Sequence, residues 1–220
     1  MKTFFRDIDA WVSQWTTPVI KWLLYACVIG FLLVAFVPQE VVGPFLGASF
    51  RTTLLRGHIW QLVTYAFVHA SFAHLFFNLF ALWMFGSRLE RRWGSRTFLR
   101  FTLVVIVGSV LTHLCLTPFF SQAGVFIIGI SGLVYGVLLA YAYYYPDEVV
   151  YVQFLLPLQV KYFVAILGLL AFLSSVGSSG SGIAHLTHLG GLLFGYLFVK
   201  NPRLFQWIPV PDIEPRTWRW

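Results

Sequence analysis

The sequence predicts an all-α membrane protein: a bundle of six transmembrane helices whose first external loop is itself embedded in the membrane. Three observations support this expectation. Of the 220 residues, 59% are hydrophobic and 10% charged, with a mean hydropathy of +0.78, whereas a soluble domain carries about 25% charged residues. Apolar stretches long enough to cross a bilayer, about 20 residues each, recur along the whole chain. The lysines and arginines gather in particular loops between those stretches. That clustering argues against reading the formal net charge of +7 as a nucleic-acid surface.

Taken in order, the spans are expected at residues 19–37, 74–89, 98–117, 124–144, 160–176 and 183–199. Residues 1–18 form an N-terminal cytoplasmic segment, 19–200 the six-helix domain and 201–220 a cytoplasmic tail. The polar start is followed by a full-length span, so no cleavable signal is expected. Pro118 and the run Gly177-Ser178-Ser179-Gly180-Ser181-Gly182 punctuate the loops. Cys27 and Cys115 both lie in apolar stretches and are expected as small core residues, not as a disulfide. The connection from 38 to 73 is unusually hydrophobic for an external loop, with Phe45, Leu46, Phe50, Leu54, Leu55, Trp60, Leu62 and Phe67. It is expected to fold partly into the outer leaflet, because so much apolar surface is unfavourable in water.

Orientation follows from the cations. Lys2, Arg6, Lys21, Arg88, Arg91, Arg92, Arg96, Arg100, Lys161, Lys200, Arg203, Arg216 and Arg219 fall on the side of the N-terminus, and only Arg51 and Arg56 on the other. The Lys/Arg-rich side is cytoplasmic by the positive-inside rule, so both termini are expected inside. Trp11, Trp15, Trp207, Trp218 and Trp220 suit interfacial positions on the same face.

Polar side chains within apolar spans are costly and mark functional sites. Ser131 stands in Gly129-Ile130-Ser131-Gly132 of the fourth span and His188 in His188-Leu189-Gly190-Gly191 of the sixth. His74 and Asn78 stand one turn apart in the second. These are the hydroxyl, base and hydrogen-bond donors of acyl-transfer chemistry. With a helix running from Gly124, Ser131 lies about 10 Å below its start, His188 about 8 Å and Asn78 about 6 Å into their own spans, at 1.5 Å per residue. Gly132 and Gly136 on the fourth span, and Gly191 and Gly195 on the sixth, form small-xxx-small faces on which two helices can meet closely. The bland alternative is that these glycines, and Ser131 with them, only pack. Asp7, Asp9, Glu40, Glu90, Asp147, Glu148, Asp212 and Glu214 lie in tails, loops or span ends, so the reading is a Ser-His dyad and not a triad. The missing HExxH motif argues against a zinc protease. A metal site built from His74, His185 and His188 is the remaining alternative, but no carboxylate supports it, and neither metal nor cofactor is expected.

These residues resemble the rhomboid family of intramembrane serine proteases, from about Trp60 to Gly195. The family's His-x4-His-x3-Asn pattern matches His69, His74 and Asn78, followed by a similar Gly86 and Glu90-Arg91-Arg92-Trp93-Gly94. Its GxSG matches Gly129 to Gly132, and its HxxGxxxG matches His188, Gly191 and Gly195. The resemblance implies Ser131 as nucleophile and His188, rather than His185, as base. It further implies that Tyr135 orients the base imidazole and that the Ser131 backbone N–H, His74 and Asn78 stabilise the oxyanion. His69 is implied to organise the external loop, while His185 is expected to face the loop or the membrane surface. Many bacterial relatives have Trp-Arg where this chain has Trp60-Gln61, which puts the anchoring of the first loop in question.

Implied partners are transmembrane protein substrates and membrane lipids, with no nucleic acid; the oligomeric state is left open. A prokaryotic plasma membrane is the expected location. Two other classes remain at this point: a non-catalytic relative that binds or escorts transmembrane helices, and a small transporter. The first typically lacks the serine or the histidine. The second needs a polar path through both leaflets.

Overall fold

Proline at the first helical position and an extended Thr17 start the first long apolar helix, α2 (Pro18–Ala35). It is preceded by α1 (Lys2–Trp15) and followed by a short α3 (Gln39–Leu46). The computed structural model describes residues 2–120, 123–152, 155–176, 182–211 and 213. A single wide turn over Phe50–Leu55 leads to α4 (Gln61–Thr64), and then to a helical run Phe72–Trp93 made of α5 (Phe72–Ala81), a wider turn at Leu82–Gly86 and α6 (Ser87–Trp93). After α7 (Ser95–Leu116) come α8 (Ser131–Tyr144), the strands β1 (Val149–Val152) and β2 (Leu156–Gln159), α9 (Val160–Val176) and α10 (Gly182–Lys200). The Gly/Ser-rich connection at 177–181, and Arg216, Trp218, Arg219 and Trp220, lie outside the described residues.

Among the described residues, α2 and the helix Ser95–Phe119 are long and apolar enough to cross a bilayer. The pair Gln61–Phe67 and Phe72–Trp93, bent by 101°, would make a third span if counted as one. The second helix is longer than its expected 74–89. The fourth differs more: helix begins only at Ser131, not near Gly124, because the residues before it are drawn into a β-bridge between Ile127 and Ala48.

Glu90 ties three elements together. Glu90 lies in the first turn of α6 and is 2% exposed, and its carboxylate accepts hydrogen bonds from the backbone N–H groups of Val19 (2.9 Å) and Ile20 (3.0 Å) and from the Thr17 hydroxyl. The Ser95 hydroxyl, at the start of α7, adds a fourth at 2.5 Å. The first amides of a helix have no partner within it, and a negative charge at that end is favourable. Gly94, at φ +81°, supplies the left-handed turn between α6 and α7. Replacing Glu90 by alanine leaves several buried donors unpaired, and we expect a loss of about 3 kcal/mol, since each such donor costs about 1–3 kcal/mol. The measurement is the thermal midpoint of the purified protein in detergent, and an unchanged midpoint would remove Glu90 from this role.

The connection between α2 and α5 is a folded unit organised around Gln61, which is fully buried. Its Oε1 accepts from the Thr52 and Thr53 hydroxyls (2.7 and 2.8 Å), and its Nε2 donates to the Pro44 carbonyl (2.7 Å). Trp60 Nε1 adds a bond to the Phe45 carbonyl (2.7 Å). The question over Gln61 is thus answered: a neutral amide, able to accept and donate at once, anchors this loop without a cation.

The described segments before α2 and after α10 dock on the bundle. Lys21 Nζ bonds Asp9 Oδ1 at 2.7 Å, and Trp83 Nε1 donates to the Trp15 carbonyl at 2.9 Å, which fixes α1 beneath α2 and α5. After α10, Phe205 stacks on Phe198 and the Ile208 carbonyl accepts from Arg100 Nε (3.1 Å). Pro211 and Ile213 then reach a crevice of about 390 Å³ beside Val19, Trp22, Leu23 and Leu99. Of the two cysteines, Cys27 is buried, but Cys115 is exposed on α7 and does not belong to the core.

Candidate active site

From Ala123 to Ile130 the chain runs as an irregular, largely extended segment beside the connection between α2 and α5. The Ala123 carbonyl accepts from the Arg51 amide (3.0 Å). Ile127 exchanges both backbone bonds with Ala48 (2.9 and 3.1 Å), and the Gly129 amide donates to the Tyr65 carbonyl (2.8 Å). Tyr65 is itself pinned, its hydroxyl donating to the Ile106 carbonyl at 2.8 Å. Gly129 has φ +107°, and a Cβ there would lie 2.7 Å from His74 Cε1. Glycine is required twice over, by backbone conformation and by the imidazole packed against it.

Ser131 is the first residue of α8, and the first intrahelical bond runs from the Val134 amide to the Ile130 carbonyl (3.2 Å). Its own N–H therefore has no carbonyl four residues back to bond. The carbonyl that a continuous helix would offer, that of Ile127, is taken by Ala48. The serine amide thus lies at the positive end of a 14-residue helix.

His188 comes from α10, the helix that packs most extensively on α7 and α8. Ser131 Oγ and His188 Nε2 are 2.8 Å apart, within hydrogen-bond distance. Tyr135, one turn along α8, stacks face to face on the His188 ring, with centroids 4.3 Å apart and planes 7° apart. His188 Nδ1 is buried and has no hydrogen-bond partner among the described residues, so no carboxylate stands behind it. The His185 ring meets His188 edge-on at 5.5 Å.

The glycines set the approach of these two helices. A Cβ on Gly191 would collide with the Gly132 carbonyl oxygen, one on Gly195 would come to 2.9 Å from Gly136 Cα, and one on Gly136 to 3.0 Å from the Gly191 carbonyl oxygen. On its other side Gly132 abuts Ser109, 2.7 Å from Oγ to a Cβ placed there. Gly190 meets Thr112 and Ser109 in the same way, and Phe194 fills the space above Gly108. This α7 surface was missed from sequence. Gly108 and Thr112, four apart, are the signal that could have found it.

His74 and Asn78 lie on α5, whose helix is capped by the Ser71 hydroxyl accepting from the His74 amide (3.2 Å). Asn78 is buried, and one of its Nδ2 hydrogens goes to the His74 carbonyl (2.9 Å). The amide carries a second donor hydrogen. His69, also buried, meets His74 edge-on at 5.0 Å. A hydroxyl, an imidazole and a helix-terminal amide are thus gathered at the start of α8, with the His74 ring packed beside Gly129, and nucleophilic acyl transfer requires groups of these kinds.

Residues 56–200 match the Rhomboid domain family. The chain is 31% identical to Rhomboid protease GluP of Bacillus subtilis over 150 residues, 68% of this chain and 27% of that protein. It is 28% identical to Rhomboid-like protease 1 of Toxoplasma gondii over 188 residues, 81% of this chain and 59% of that one. With Rhomboid protease GlpG of Salmonella choleraesuis the identity is 27% over 121 residues, 55% and 41%. The chain spans between about a quarter and three fifths of the length of these relatives.

Proposed function

Given that the chain belongs to the rhomboid family of intramembrane proteases, we propose that it is a serine endopeptidase that cleaves transmembrane segments near their external end with a Ser131–His188 dyad. The observation that carries this reading is the 2.8 Å separation of Ser131 Oγ and His188 Nε2 across two helices.

His188 Nε2 accepts the Ser131 proton as Oγ attacks the scissile carbonyl, and the resulting imidazolium then protonates the leaving amine. The stacked Tyr135 ring holds the imidazole in the plane from which both transfers are made. The oxyanion forms at the N-terminus of α8, stabilised in this reading by the free Ser131 N–H, the second Asn78 Nδ2 hydrogen and the His74 imidazole. Fixed donors of this kind need no reorganisation as charge develops.

The membrane frame of the proposal has six spans: α2, the helix Phe72–Trp93, α7, α8 with the extended segment above it, α9 and α10. Residues 19–200 form this domain, and 1–18 and 201–220 lie on the cytoplasmic, Lys/Arg-rich side. The 14 residues of α8 cover about 21 Å at 1.5 Å per residue of a hydrocarbon core about 30 Å thick. Ser131 then sits about 9 Å below the outer boundary by that arithmetic, and water for deacylation arrives from the exterior. Substrate segments enter beside α9, and residues of low helix propensity near the cut expose the peptide bond. The host is a prokaryotic cell in this reading, with the protein in its plasma membrane.

The test is labelling of the intact protein in membranes with a fluorophosphonate, alongside cleavage of a reporter transmembrane substrate. Labelling and cleavage that both disappear in Ser131→Ala support the proposal. Cleavage retained by that variant overturns it. Asn78→Ala is expected to reduce cleavage by about 10²-fold, the lower end of the cost of removing one oxyanion donor while others remain, about 10²–10³. A loss equal to that of Ser131→Ala would assign Asn78 a different role.

A further inference from the structure

Between α8 and α9 the chain folds back as an antiparallel hairpin, pairing Val149 with Gln159, Val150 with Leu158, Tyr151 with Pro157 and Val152 with Leu156. No charged residue occurs from Val149 to Val160. Val150 packs on the bundle core, but Val149 and Tyr151 on the other face are 51% and 66% exposed, and Leu155 and Leu156 near the turn are 83% and 60% exposed. Short uncharged strands with open edges invite aggregation in water, and proteins ordinarily protect such edges with charge.

The charges lie instead at the hairpin's base. Glu148 accepts two bonds from Arg88 (2.7 and 2.9 Å) and one from the Tyr141 hydroxyl (2.6 Å), and Asp147 accepts from Lys161 Nζ (2.7 Å). The Val160 amide closes the base on the Glu148 carbonyl (2.8 Å). β2 passes directly into α9 without a linker, and the outward side of α9 is itself apolar, with Ile166, Leu169 and Leu173 exposed. Strands of four residues reach only about 13 Å, so the hairpin cannot leave the neighbourhood of that helix end. Nor can it enter the hydrocarbon, where the unpaired backbone groups of its outer edges would find no partner.

We propose that this hairpin is an interfacial anchor: it lies along the leaflet on the Lys/Arg-rich side, with Val149, Tyr151 and Leu155 set into the headgroup–acyl boundary, and so fixes the inner end of α9. Side chains meet acyl chains while the strand edges meet headgroups and water. Continuity with the apolar surface of α9 favours lipid over a second copy of the chain. The choice of leaflet rests on the topology proposed above.

The experiment places nitroxide labels at Tyr151→Cys, Leu155→Cys and, as the aqueous reference, Asp147→Cys, whose side chain is 72% exposed. A Cys115→Ser background removes the exposed native thiol. The full chain is reconstituted in vesicles of phosphatidylcholine and phosphatidylglycerol, and relaxation by oxygen is compared with relaxation by a water-soluble nickel chelate. Labels at 151 and 155 are expected to favour oxygen several-fold over the label at 147. An equal ratio at all three sites overturns the proposal. So does dipolar broadening at 151 or 155 that vanishes on dilution with unlabelled chain, since that reports pairing between copies. Chelate confined to one side of oriented vesicles reads the leaflet separately, so a wrong topology is told apart from a hairpin that stays in water.

Discussion

Replacing His188 by alanine is expected to reduce cleavage of a transmembrane substrate by about 10⁴-fold or more, because a general base contributes about 10²–10⁴ and members of a catalytic unit fail together. A serine hydroxyl is a weak nucleophile without a base, and Nε2 of His188, the base proposed above, lies 2.8 Å from Oγ. His185 is the internal control. Its ring touches His188 only edge-on at 5.5 Å, so His185→Ala should leave most of the activity in place. Fluorophosphonate labelling of Ser131 should fall in parallel with cleavage in His188→Ala. A variant that still cleaves within about tenfold of the parent is incompatible with the base role.

The second large effect is expected at Gly191. A Cβ there runs into the Gly132 carbonyl oxygen, which is helix backbone and cannot swing aside. Gly191→Val must therefore push α10 away from α8, and those two helices carry the two halves of the proposed dyad. A misplacement of about 1 Å costs about 10²-fold in rate, and overpacking of a filled interior costs about 1–3 kcal/mol. We expect both a loss of cleavage of at least that order and a lower thermal midpoint. Gly168→Ala, where the nearest obstacle is the tip of Leu192 at 3.2 Å, should be mild by comparison. Equal effects at the two glycines would mean that close approach of α8 and α10 is not what Gly191 provides.

Several of these features were legible because they are local. Composition and the recurrence of apolar stretches reveal a membrane protein, since the bilayer imposes length and polarity on each helix separately. The spacings Gly132/Gly136 and Gly191/Gly195 mark helix faces, because a repeat of four residues stays on one side of a helix wherever that helix is packed. A serine and a histidine beside those faces were enough to nominate a dyad, and the structure brings the two within hydrogen-bond distance. The small residues of α7 show the same kind of signal but drew no attention, having no polar neighbour of obvious chemistry.

What sequence could not determine depends on groups far apart along the chain. Apolar continuity from Gly124 reads as helix, yet Ile127 pairs with Ala48, and so the helix begins at Ser131. The difference is chemical. In the middle of a helix the serine N–H is consumed by the carbonyl four residues before it, whereas at the first position it remains available. Gln61 was likewise ambiguous as an isolated letter, because its worth depends on Thr52, Thr53 and Pro44 meeting its two ends. The sequence by itself determined the solvent this protein is built for and the faces on which its helices meet. Tertiary structure alone decided which backbone groups are left free, because a segment held in extended pairing with a distant residue cannot also adopt the helical turn that would use its carbonyl.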